Sequence, residues 1–183
     1  MQNNVAEDGS PKPMNASTGR LFRIDPDGSV TLADSHEYGI SNTMAWRADG
    51  TFLFADTLAH TIYVFDYEPA AGTISNRRVF AHTEAPGMPD GSCLDSEGYL
   101  WNARVGGSAL IRYAPDGTID RTLPLPVKAP TSCAFGGPDL ATLYVTSARF
   151  GMTREEIAAN PVEGALLAVD AGVKGIATSR FAG

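Results

Sequence analysis

Short apolar runs recur in one order along this chain, four to a unit and each set off by a Gly-containing turn, with a period of about 40 residues. The second run of each unit is the clearest: residues 51–57, 99–103 and 143–147. Each follows a turn signal, Ala48-Asp49-Gly50, Ser96-Glu97-Gly98 and Gly136-Gly137-Pro138-Asp139. Third runs lie at 61–66, 109–113 and 165–170, and an earlier one at 20–25, with an outer strand at 29–33, implies a further unit before them. Runs rich in Val, Ile, Phe and Tyr, joined by Pro26-Asp27-Gly28 and Pro115-Asp116-Gly117, read as hairpins within four-stranded sheets. Four strands per unit at this period predict an all-β fold, a β-propeller of four-stranded blades. A sandwich of short strands would not need the same side-chain order at every fourth strand.

On this reading the chain is one partial propeller domain of about three and a half blades: an incomplete blade at 1–36, then complete blades at 37–83, 84–126 and 127–183. Thr153-Arg154-Glu155-Glu156 has the pattern of a capping box. It reads either as one or two turns of helix stopped by Pro161 or as a plain loop excursion within the last blade.

Composition limits the functions open to the chain. A net charge of −7 over 183 residues argues against a nucleic-acid or anionic-membrane surface, since both need clustered Lys and Arg. No run approaches the length of a membrane span, and residues 1–13 are too polar for a signal peptide, so a cytoplasmic location is expected. Cys93 and Cys133 occupy corresponding places in the first strands of neighbouring units; they read as small buried thiols, or else as a disulfide or metal pair. His36, His60 and His82 have no ligand spacing, which gives little support to a His-based zinc site or a Ser-His-Asp triad.

The chemistry concentrates at two matching strand starts. Ser41-Asn42-Thr43-Met44-Ala45-Trp46 places an amide, and Pro89-Asp90-Gly91-Ser92-Cys93-Leu94-Asp95 a carboxylate, where strands converge on a propeller axis. Both are oxygen donors of the kind hard divalent cations accept. Pro-Asp-Gly is also a common turn, but Pro89-Asp90-Gly91 leads into an innermost strand, whereas the other two join outer strands. Asn102, Arg104, Thr131 and Ser132 are read as polar groups that either face the channel or bond at strand ends.

Six motifs in order resemble the regucalcin-like gluconolactonase family, also called the senescence-marker-protein or luciferin-regenerating-enzyme family. They are Ser41-Asn42 with Trp46, Phe65-Asp66-Tyr67 followed by Ile74-Ser75-Asn76-Arg77-Arg78, Pro89-Asp90-Gly91 with Cys93 and Asp95, 131–137, 144–149, and Gly172-Val173-Lys174-Gly175. The resemblance implies a six-bladed propeller that hydrolyses sugar lactones with one divalent metal ion, calcium, zinc, magnesium or manganese, in its channel. It makes Asn42 and Asp90 metal ligands, gives Asp90 the further role of general base, and places a substrate contact at Asn4, where the family often has an acid. The family's Glu ligand and two further substrate contacts would fall before Met1. Thr43 stands where the family usually has Gly, which bears on the backbone beside Asn42.

The function implied is a divalent-metal-dependent aldonolactone hydrolase, of which this chain is the C-terminal portion. The alternative is a non-catalytic calcium-binding or protein-interaction fragment. An arc of blades leaves open edges, so ring closure calls for an N-terminal segment or self-association. A third oxygen ligand would come from a partner chain or from an acid here, with Glu7 and Asp8 as candidates. The expected small-molecule partner is a sugar lactone.

Overall fold

A computed structural model describes residues 16–83 and 86–178. Two antiparallel four-stranded sheets dominate it. The first has the order β3 (Ser41–Trp46), β4 (Thr51–Asp56), β5 (Thr61–Glu68), β6 (Thr73–His82), and the second the order β7 (Met88–Leu94), β8 (Leu100–Val105), β9 (Ala109–Tyr113), β10 (Ile119–Pro124). A hairpin of β1 (Gly19–Ile24) and β2 (Val30–Tyr38) precedes them. A sheet of β11 (Pro130–Gly136), β12 (Thr142–Ser147) and β13 (Leu167–Asp170) follows, three-stranded among the described residues. This is the all-β, propeller-type arrangement expected from the repeat. The capping box is formed, and α1 (Arg154–Ala159) rises from Thr153, whose hydroxyl accepts from Glu156 N while the Glu156 carboxylate accepts from Thr153 N.

Burial accounts for the clarity of the second runs at 51–57 and 99–103. β4, β8 and β9 are covered on both faces, so nearly every side chain is apolar or fully satisfied, whereas outer strand β10 is largely exposed. Between the two four-stranded sheets lie Leu53, Ala55, Ile62, Leu100, Ile111 and Tyr113. Trp101, Ala103, Leu110, Leu143 and Val145 fill the next seam.

Asp95 shows what a structural carboxylate looks like here. It is 1% exposed and accepts from Glu97 N, Tyr99 N, Trp101 Nε1 and Arg112 Nε, all at 2.8–3.0 Å. Arg112 also stacks over Tyr99, 3.8 Å from the ring centroid. Asp56, 4% exposed, is likewise filled by the amides of Gly39, Ile40, Leu58 and Ala59.

The innermost strands β3, β7 and β11 lie side by side, and each is irregular at the same level. Pairing with the second strand slips between Asn42 and Met44, between Pro89 and Ser92, and between Pro130 and Ser132. Bulges of this kind re-aim side chains without ending the strand. At Gly91 the bulge of β7 touches its neighbour, because a Cβ there would lie 2.3 Å from Ser132 Oγ and 2.9 Å from Thr131 O. Gly91→Ala is therefore expected to destabilise the chain by about 1–3 kcal/mol. Adding Ser132→Gly should recover part of that loss, read as the shift of the urea midpoint and its non-additivity.

Candidate metal and substrate site

At Asn42 the order of proton donation can be worked out from one end. The Pro89 carbonyl can only accept, so the Thr57 hydroxyl gives it its proton at 2.7 Å and must itself accept from Asn42 Nδ2 at 2.8 Å. That fixes the amide with its nitrogen tied down. Asn42 Oδ1 takes no hydrogen bond among the described residues.

Thr43 comes next, with φ of 48°, in the left-handed region that Gly adopts at little cost. Thr43 therefore holds a conformation that Gly would adopt at less cost, and adds a side chain to it. Its cost, on the order of 1 kcal/mol, is offset by what the hydroxyl does. Thr43 Oγ1 donates to Asp90 O at 2.6 Å and accepts from Ser92 Oγ at 2.8 Å. Thr57, tied to Asn42, and Thr43 thus hold the consecutive carbonyls of Pro89 and Asp90 in β7, and Asn42 and Asp90 are brought to one level on adjacent strands.

Asn102 and Arg104 do not line a channel. Both are 0% exposed, on the face of β8 that Leu100 turns toward the first sheet. Asn102 Nδ2 donates to Asp90 O at 3.1 Å and Ser92 Oγ at 2.9 Å, while its Oδ1 accepts from Arg104 Nη1 at 3.1 Å. Arg104 also donates to the carbonyls of Thr83, Pro86 and Gly87, and among the described residues no carboxylate pairs with it. Burial lowers its pKa. The pair acts as a clamp on the segment that delivers Asp90. Thr131 is half-buried and shares a hydroxyl bond with Thr146 at 2.8 Å, and Ser132 packs under Gly91. Residue order alone does not reveal the clamp, although the alternation of Leu100, Asn102 and Arg104 places the three on one face.

Asp90 differs from the other Pro-Asp-Gly aspartates. Asp27 and Asp116 accept from the amides of Ser29 and Thr118, and each sits in an outer hairpin before a left-handed Gly. Asp90 is half-buried, with only the Gly91 amide among the described residues to offset desolvation, and burial pushes its carboxyl up to about 6. Such a carboxylate, with an amide oxygen at the same level on the adjacent strand, offers donors that a hard divalent cation accepts as part of its oxygen shell. Among the described residues no cluster of three or more His, Cys, Asp and Glu supplies the remainder. Asn4, Glu7 and Asp8 lie outside the described residues.

The raised carboxyl has a stability consequence. Protonated Asp90 carries no desolvation cost, whereas the ionised form does, so the penalty is absent below about pH 4 and grows as pH rises through about 6. In chelator, Asp90→Asn is expected to stabilise the chain at pH 7.5 by about 1–2 kcal/mol, discounted for partial exposure. The gain should vanish near pH 4, checked by urea titration at both pH values.

Comparison with known proteins identifies the family. The profile of the SMP-30/gluconolactonase/LRE-like region matches residues 1–149. Regucalcin of Gallus gallus is 39% identical over 183 residues, covering 98% of this chain and 61% of the relative. A pentonolactonase of Haloferax volcanii is 43% identical over 138 residues, 74% of this chain and 47% of the relative. A calcium-binding regucalcin from Agrobacterium tumefaciens has a TM-score of 0.83 at 32% identity, covering 89% of this chain and 56% of that structure. The chain thus spans about three-fifths of the length of the regucalcin it matches. It belongs to the SMP-30/gluconolactonase/LRE-like family.

Proposed function

We propose that this chain is the metal-binding, C-terminal portion of a divalent-metal-dependent aldonolactone hydrolase. The observation that carries the reading is the placement, on neighbouring inner strands, of Asn42 Oδ1, which takes no hydrogen bond among the described residues, and the half-buried Asp90 carboxylate. Membership of a family that includes gluconolactonases, and likeness to a pentonolactonase, supply the reaction class.

Lactone hydrolysis adds water to the carbonyl carbon, breaks the bond from that carbon to the ring oxygen, and delivers a proton to that oxygen. The aldonic acid formed then ionises and acidifies the medium. Asn42 and Asp90 would hold the ion, which supplies carbonyl polarisation and a lowered pKa for bound water. Asp90 would also serve as the general base, taking a proton from the attacking water and passing it to the leaving ring oxygen. Thr57, Thr43 and Asn102 fix the chain around these two groups. Asn4 is assigned to substrate binding by the resemblance.

Glucono-1,5-lactone hydrolysis, followed by proton release with calcium, zinc, magnesium or manganese, tests the proposal. Metal-dependent release that falls at least about 100-fold in Asp90→Ala is expected. Calorimetry separates the alternatives: metal binding lost in Asp90→Ala, without hydrolysis, would identify a calcium-binding module. Absence of binding by the folded chain would sink both.

A further inference from the structure

The chain has only two cysteines, and the fold brings them together from different sheets. Cys93 on β7 and Cys133 on β11 place their Sγ atoms 3.5 Å apart, both reduced. Register holds each backbone, since Cys93 pairs with Trp101 in β8 and Cys133 with Val145 in β12. Both cysteines are among the residues lining one open cavity, with Met44, Ser92, Ala134 and Phe135, which offers a small solute a route toward the partly exposed Cys93.

We infer that Cys93 and Cys133 form a redox modification site, at which a peroxide-class oxidant joins them as a disulfide across the seam between the second and third sheets. The two thiols have different places in the reaction. Cys93 is partly exposed, whereas Cys133 is buried and donates its S–H to Trp101 O at 3.4 Å. Cys93 meets the oxidant: its sulfur attacks the peroxide, the O–O bond breaks, and sulfenic acid and water result. Cys133 then displaces that hydroxyl, releasing a second water and forming the S–S bond. The two thiols are oxidised by two electrons and one peroxide is reduced. A disulfide needs a separation of about 2.05 Å, so the sulfurs must close by roughly 1.5 Å, a movement within reach of side-chain rotation and a small strand shift. The hydrogen bond with Cys133 and burial both push the Cys93 thiol up. The reaction is accordingly slow, a response to sustained oxidant exposure. The bond would fasten β7 to β11 three residues beyond Asp90.

The test treats the folded chain overnight with a modest excess of hydrogen peroxide, removes the oxidant with catalase, alkylates, and reads intact mass and a non-reducing peptide map. A monomer lighter by about 2 Da is expected, closed to alkylation, with Cys93- and Cys133-bearing peptides linked and released by dithiothreitol. Cys133→Ser should lose this product and gain oxygen at Cys93. The proposal fails if the wild-type thiols stay free, if they go to sulfinic acid, if the product is a linked dimer, or if Cys133→Ser still loses about 2 Da. The peptide map decides the matter even where the variant folds poorly.

Discussion

Sheets stacked face to face share no backbone ladder, so whatever fixes the level of one against the next must come from side chains. Between the first two four-stranded sheets two threonines do this at the level of the candidate site. Thr57 and Thr43 donate to the consecutive carbonyls of Pro89 and Asp90, at 2.7 and 2.6 Å. Apolar packing of residues such as Leu53 and Ile111 drives the sheets together but tolerates sliding. The hydroxyl-to-carbonyl bonds do not, and they place the candidate ligands as a by-product of fixing the seam.

Two kinds of buried acid follow from the same fold. Asp95 and Asp56 are surrounded by donors and hold turns or strand ends in place. Asp90 has a single amide, and its carboxylate is the group left needing a partner. The contrast separates scaffold from site more sharply than exposure does, since all three are wholly or partly withdrawn from water.

Much of this was legible in residue order. Turn residues and β-branched runs gave β4, β5, β8 and β9 nearly to the residue, because strands buried on both faces leave little choice of side chain. The capping box at Thr153 was equally plain, being local in sequence. Asp90 could be told from Asp27 and Asp116 by its place before an inner strand. The Asn102 and Arg104 clamp was not legible: a period of two says that they share a face, but only the packing says that this face meets the first sheet rather than the axis. The left-handed turn at Thr43 was also hidden, since nothing in a Thr announces a positive φ.

Asn42 and Asp90 belong to different sheets, held at one level by bonds that exist only while those sheets are docked. Any ion or substrate that engages both is then a staple across the seam, and its binding energy adds directly to the cohesion of the two sheets. Occupancy and architecture are in this way thermodynamically linked: loosening the seam weakens the ligand by the same factor that the ligand tightens the seam.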